Sequence, residues 1–85
     1  MQQETACILT GVQDAFRLAF EIDPQTVTME TQAGDIASWD SVGHLSLASS
    51  LEEVFGVSLD VDDLMEMESV KAIVRIIAAK LPENV

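Results

Sequence analysis

The sequence predicts an all-α fold: a small four-helix bundle with three principal helices, one short helix and a long first loop. Three segments repeat apolar residues at steps of three and four, which is the period of an amphipathic helix. No segment alternates apolar and polar residues as a half-buried strand does. With 85 residues, 48% of them hydrophobic, the chain is long and apolar enough for one core. We therefore expect residues 1–85 to form a single domain.

The first helix is predicted over residues 5–20. Thr5 is a candidate N-cap, Gly11 is a mild cost inside the helix, and Pro24 stops any continuation. The apolar residues of its buried stripe are Ile8, Val12, Ala15, Phe16 and Ala19.

Residues 21–40 follow without a sustained period. A connection of this length is unusual in a compact domain and is often functional. We expect a long crossover anchored to the core by isolated apolar residues, which are Ile22, Val27, Met29, Ile36 and Trp39.

Helical periodicity resumes at Ser41, with Asp40 or Ser41 as the N-cap and Gly56 in the position of a C-cap. The acidic stretch 60–67 is consistent with one or two further helical turns. The stripe of the second helix that we expect to face the core comprises Val42, Leu45, Ala48, Leu51 and Phe55, flanked by Leu47 and Val54.

Ser69 is the expected N-cap of the last helix, and Pro82 is expected to end it. Lys80 in the last turn suits the negative end of the helix dipole. The stripe expected to face the core comprises Val70, Ile73, Val74, Ile77 and Leu81.

The charge of the chain is strongly acidic, with fifteen acids against four bases and a formal net charge of −11. This charge disfavours nucleic acid and anionic membranes, because binding to either requires Lys and Arg. An acidic surface can keep a small protein soluble, or it can attract basic protein partners, and charge alone leaves both explanations open. Basic protein partners are indicated by acids that crowd one short stretch, namely Glu52, Glu53, Asp60, Asp62, Asp63, Glu66 and Glu68.

Several other classes of site are disfavoured by composition. The single cysteine, Cys7, excludes an internal disulfide and is expected to pack as a small side chain. One histidine, His44, is too few for a zinc site, so no metal is expected. A catalytic Ser41–His44 pair lacks a Gly-x-Ser-x-Gly elbow, so we expect no enzyme and an exposed or partly packed interface histidine. The lack of a disulfide favours a cytoplasmic setting. The chain has no apolar run long enough to cross a bilayer and no signal-peptide pattern, and we expect it to be a monomer.

The residues most informative about function surround Ser41, where a loop becomes a helix directly after Asp40. The N–H groups and the dipole of a helix N-terminus favour an approaching phosphate. A serine in this position is also often no more than a cap.

Five patches of the sequence, in order, resemble the acyl carrier protein family. The triplet 40–42 resembles its Asp-Ser-Leu motif, and residues 39–45 resemble a subgroup that reads Trp-Asp-Ser-Leu-Gly-His-Leu. Ile22-Asp23-Pro24 with Val27-Thr28, the stretch 51–57 (Leu-Glu-Glu-Val-Phe-Gly-Val) and Ser69-Val70 resemble the first loop, the end of the second helix and the start of the last helix.

The resemblance implies that a phosphopantetheinyl transferase, using coenzyme A and Mg²⁺, attaches 4′-phosphopantetheine to Ser41. The thiol of this arm would carry acyl groups as thioesters, and Asp40 would fix the helix start. Other partners would be a loading ligase, a synthase or an acyltransferase with a basic docking surface. The docking residues would be Val42, His44, Leu45, Glu52, Glu53, Asp62, Asp63 and Glu66.

The sequence departs from the family where acids often follow the serine, because residues 43–50 are nearly uncharged. This departure favours a dedicated biosynthetic pathway. Two alternatives stay open: an aminoacyl or peptidyl carrier of the same fold, and an unmodified acidic helical module in which Ser41 only caps.

Overall fold

The computed structural model describes the backbone of residues 2–81 and the side chains of residues 7–81. Four helices follow one another: α1 (Gln2–Phe20), α2 (Ser41–Phe55), α3 (Val61–Glu66) and α4 (Val70–Lys80). Within residues 2–81 there is no strand beyond an isolated bridge between residues 32 and 69. The predicted all-α architecture of three principal helices, one short helix and a long first loop is therefore confirmed.

The helix ends follow local capping chemistry. Gly56 has φ +67°, and its N–H donates to the Glu52 carbonyl at 2.8 Å, which ends α2 as predicted. Ser69 Oγ accepts the Ala72 N–H at 3.2 Å, so the predicted cap of α4 is also confirmed. Pro82, the expected stop of α4, lies outside the described residues.

The first helix differs at both ends from its predicted bounds. It begins at Gln2, so Thr5 lies inside the helix rather than at its cap, and the Thr5 side chain is outside the described set. It ends at Phe20, because Glu21 adopts a left-handed conformation with φ 56°. Pro24 instead begins a 3₁₀ turn, so the helix has already ended when the chain reaches the proline.

The crossover between α1 and α2 is anchored at the predicted apolar positions, although it is more regular than expected. Val27 and Trp39 are buried, and Ile22, Met29 and Ile36 pack partly against the core. Two 3₁₀ turns, Pro24–Thr26 and Ala33–Asp35, interrupt it.

Hydrogen bonds join the crossover to α1 and to α4. The Gln13 amide donates to the Val27 carbonyl at 2.7 Å, and the Val70 N–H donates to the Thr31 carbonyl at 2.9 Å. The crossover is therefore held against both α1 and the start of α4.

The core lies between α1, α2 and α4. The predicted stripe of α1 is confirmed at Ile8, Val12, Ala15 and Phe16, with Ala19 half-buried. The stripe of α4 is confirmed at Val70, Ile73, Val74 and Ile77, with Leu81 packed partly against it.

The stripe predicted for α2 is wrong in its first two turns. Val42 and Leu45 are 74% and 61% exposed, whereas Leu47, expected only to flank the stripe, is fully buried beside Leu51. The inward position of the first turn belongs to His44, which is partly buried. The sequence pattern was misleading because this inward residue is polar. The exposed Val42 and Leu45 also continue into the buried Ala48 and Leu51 at the same helical spacing.

Cys7 is exposed, so the expectation that it packs as a small core side chain is also wrong. No helix within the described residues combines the length and the apolar composition needed to cross a membrane.

An ion pair joins the first turn of α3 to the last turn of α4. Lys80 Nζ lies 2.8 Å from Asp63 Oδ2, and Asp63 also accepts the Asp60 N–H in a capping box. The Lys80 hydrogen bond, aided by the Asp60 N–H, holds the pKa of Asp63 below its ordinary value of 3.8. The Asp63 hydrogen bond in turn raises the pKa of Lys80.

We expect Asp63→Asn to lower the Tm by a few degrees at neutral pH, because the amide keeps a capping acceptor but loses the charge. A carboxyl group whose pKa is lowered by folding stabilises the protein at pH values above its ordinary pKa of 3.8. This stabilisation is lost as the pH falls through the pKa of the folded state. The Tm difference from wild type should therefore shrink below that value in thermal scans at stepwise lower pH. Asp62→Asn, an equal charge change at an exposed neighbour, is the control. Equal effects of the two variants would contradict this role.

Candidate functional site

Ser41 is the first residue of α2, and its side chain is exposed. The cap is Asp40, whose Oδ1 accepts the Gly43 N–H at 2.8 Å and whose carbonyl accepts the His44 N–H at 2.7 Å. The choice between Asp40 and Ser41 as the cap is thereby settled for Asp40. The Ser41 hydroxyl has no hydrogen-bond partner within the described residues. It is therefore free for another role.

The backbone around Ser41 suits an anion. The first N–H groups of a helix have no partner within the helix, and Asp40 takes up only that of Gly43. The N–H groups of Ser41 and Val42 make no hydrogen bond within the described part of the chain. These two donors and the helix dipole provide a fit for a phosphate ester on Ser41.

Gly43 allows the end of the crossover to lie directly against α2. A Cβ at this position would overlap the Ser38 carbonyl oxygen and stand 3.0 Å from Phe20 Cε1. No other residue type leaves room for the loop backbone here. The glycine therefore fixes the path by which the chain reaches Asp40 and Ser41.

Trp39 anchors the same loop end from the inside. Its indole is 5% exposed and packs edge-on against Phe16, with ring centroids 5.1 Å apart. Its Nε1–H donates to His44 Nδ1 at 2.7 Å. An indole nitrogen can only donate, so Nδ1 of His44 must accept and the proton of the neutral imidazole lies on Nε2.

His44 Nε2 lies 2.7 Å from the Leu64 carbonyl and, in this tautomer, donates to it. Both ring nitrogens are therefore occupied by contacts that join the crossover, α2 and α3. The imidazole is unavailable as a base for Ser41, in agreement with the expectation of a partly packed histidine.

The acids predicted for partner docking fall into two groups. Glu52 Oε2 accepts the Leu59 N–H at 2.8 Å and holds the loop between α2 and α3, and Asp63 pairs with Lys80. The side chains of the second group are exposed, and these residues are Glu53, Asp62 and Glu66.

The apolar docking candidates Val42 and Leu45 lie on the outer face of α2. Sequence reasoning missed two exposed apolar residues on α3, Val61 and Met65, which are 68% and 70% exposed. Their spacing of four residues places them on one face of the short helix. This spacing could have indicated an exposed apolar face from the sequence. The same spacing is equally typical of residues that face a core.

The sequence of residues 11–77, more than half of the chain, matches the family model described as phosphopantetheine attachment site. A search of curated proteins finds no match. The matched residues run from the middle of α1 into α4 and include Asp40, Ser41 and Gly43.

We expect Gly43→Ala to destabilise the protein by about 1–3 kcal/mol, the usual cost of forcing atoms into a packed contact. The matched control is Gly34→Ala, because a Cβ at Gly34 meets nothing within 4 Å. The control should be neutral or more stable by less than about 1 kcal/mol. Urea unfolding followed by the fluorescence of Trp39, the single tryptophan, measures both. Equal midpoints would refute the close approach of the loop to Gly43.

Proposed function

The chain belongs to the phosphopantetheine attachment site family, and from this premise we propose that it is an acyl carrier protein modified on Ser41. Domains of this family carry a covalently attached 4′-phosphopantetheine group and are carriers rather than catalysts. One observation supports Ser41 above all: Asp40 caps α2, and the serine hydroxyl beside it is exposed and makes no hydrogen bond within the described residues. We take the carrier domain to extend over residues 1–85.

In the attachment step, Ser41 Oγ loses its proton to a base and bonds to the coenzyme A phosphorus that bears the pantetheine. The pyrophosphate P–O bond breaks, and adenosine 3′,5′-bisphosphate leaves. A phosphopantetheinyl transferase would supply the base and the Mg²⁺, since both His44 nitrogens are occupied. The N–H groups of Ser41 and Val42, which make no hydrogen bond within residues 2–81, would be available to the phosphate ester. When bound, the arm supplies a thiol that carries acyl groups as thioesters.

The exposed residues of α2 and α3 form a docking surface for transient partners. Val42 and Leu45 on α2 provide apolar contact, and Glu53, Asp62 and Glu66 provide negative charge. Lys80 pairs with Asp63 of α3, but the exposed carboxylates of Glu53, Asp62 and Glu66 outnumber it, so the field here is net negative and attracts basic surfaces. The partners proposed are the transferase and a loading ligase, synthase or acyltransferase.

A dedicated biosynthetic pathway in the cytoplasm is the proposed setting. The exposed part of the first turns of α2 offers Ser46 and Ser49 rather than acids, so enzymes that read acids directly after the serine find none. A net charge of −11 disfavours nucleic acid as a partner. We propose that the carrier acts as a monomer.

The first test is intact mass after incubation with coenzyme A, Mg²⁺ and a broad-specificity transferase. The wild-type chain should gain the mass of one phosphopantetheine, and Ser41→Ala should gain none. Ser46→Ala, which removes another exposed hydroxyl of α2, should be modified like wild type. An unchanged wild-type mass with several transferases would refute the carrier function.

The second test concerns charge in docking. We expect the double variant Glu53→Lys/Asp62→Lys to slow association with the transferase roughly tenfold at low salt, and less at high salt. Glu52 and Asp63 are left unchanged because their carboxylates hold the fold.

The matched control for this test is Glu30→Lys/Glu68→Lys, which makes the same change in net charge at exposed residues. Glu30 belongs to the crossover, and Glu68 belongs to the link between α3 and α4. A hydrogen bond from the Ala33 N–H to the Glu68 carbonyl joins these two segments. Stopped-flow association rates across a salt series would measure both double variants. Equal slowing by both would mean that net charge, rather than this surface, guides the encounter.

A further inference from the structure

An open cleft of about 380 Å³ lies directly beside Ser41, between the end of α1 and the first two turns of α2. Its volume falls near the lower end of the range of small-molecule sites, roughly 300–1,000 Å³. Its lining residues are Ala19, Phe20, Glu21, Ser38, Asp40, Val42, Gly43 and Ser46. Of these lining residues, Val42 also belongs to the docking surface, and Ala19 and Phe20 pack partly against the core.

Two backbone features shape the cleft. Glu21, with its left-handed φ of 56°, ends α1 and turns the chain aside at the rim. Gly43 lacks the Cβ that would overlap the Ser38 carbonyl, so Ser38 and Phe20, both of which belong to the lining, pack directly against α2. The cleft therefore depends on a backbone geometry that the chain maintains at a cost.

The walls alternate polar and apolar chemistry. Ser38 and Ser46 are exposed, and their hydroxyls make no hydrogen bond within the described residues. Ala19 and Phe20 are at the C-terminal end of α1, where the last carbonyls of a helix have no intrahelical partner. Apolar surface comes from these two side chains and from Val42. Such a lining suits a chain in which amides alternate with short alkyl groups, and it does not suit a long hydrocarbon chain.

We propose that this cleft is the resting site of the pantetheine part of the arm. The inference rests on the proposed modification of Ser41. Asp40 and Val42, the two neighbours of Ser41, both line the cleft, so an arm on this serine begins at the rim. The amides of pantetheine meet the serine hydroxyls and the free helix carbonyls, and its geminal methyl groups meet Phe20 and Val42.

The contrasting surface is the outer face of α3, where the exposed side chains of Val61 and Met65 provide apolar area. Both the charged rim (Glu21 and Asp40) and the serine hydroxyls set the cleft apart from that face. An arm resting in the cleft leaves α3 free for partner enzymes.

The test is NMR of the full chain before and after loading, with intact mass confirming one arm per chain. In the loaded protein we expect nuclear Overhauser contacts between the geminal methyl protons and the Phe20 ring. Amide shifts on loading should concentrate at residues 19–21, 38 and 46. Shifts confined to the immediate neighbours of Ser41, or concentrated on α3, would overturn the proposal.

A pair of variants on one helix separates the cleft from a general effect of bulk. Ser46→Leu places a branched side chain in the cleft, and Ser49→Leu makes the same change at an exposed residue outside its lining. Ser46→Leu should lose the contacts between the methyl groups and Phe20, and Ser49→Leu should keep them. Persistence of the same contacts in loaded Ser46→Leu would count against the cleft.

The two proposals fail in distinguishable ways. A wild-type chain that takes up no arm overturns the modification of Ser41 and, with it, the resting site. A chain that is loaded on Ser41 but lacks contacts to Phe20 overturns the resting site alone and leaves the carrier function standing.

Discussion

The hydrogen bond from the Trp39 indole to the His44 imidazole is the contact on which the geometry of the site depends. Its donor lies at the end of the crossover, and its acceptor is His44 in the first turn of α2. The other ring nitrogen of His44 reaches the Leu64 carbonyl. Both groups are shielded by burial of the indole against Phe16, which strengthens the bond relative to one in water. The end of the crossover, the first turn of α2 and α3 are thereby held in one arrangement.

The consequence for Ser41 is a division of roles among adjacent residues. Trp39 secures the loop from within, Asp40 caps the helix, and Gly43 admits the loop backbone. Each structural task near Ser41 is thus performed by another residue. A hydroxyl without a structural task, in a rigid setting, can be presented to a large enzyme without local unfolding.

The acidic character of the chain divides in a similar way between structure and recognition. Glu52, Asp60 and Asp63 satisfy backbone N–H groups, so their charge is part of the fold. Glu53 and Asp62 are exposed and, under the proposed function, contribute to the field that partners meet. Substituting neighbouring acids therefore affects stability differently, because one substitution removes a hydrogen bond to the backbone and the other does not.

Local patterns in the sequence determined the four helices, the caps at Gly56 and Ser69, the anchored crossover and the position of Ser41 at a helix start. These features depend on residues a few positions apart, which sequence alone displays. Tertiary structure decided the inward face of α2, where His44 rather than Val42 or Leu45 points to the core side, and it also decided which acids are engaged and where the cleft lies. The physical reason is that hydrogen-bond partners such as Leu64 and Lys80 come from other elements, and only packing brings them within reach.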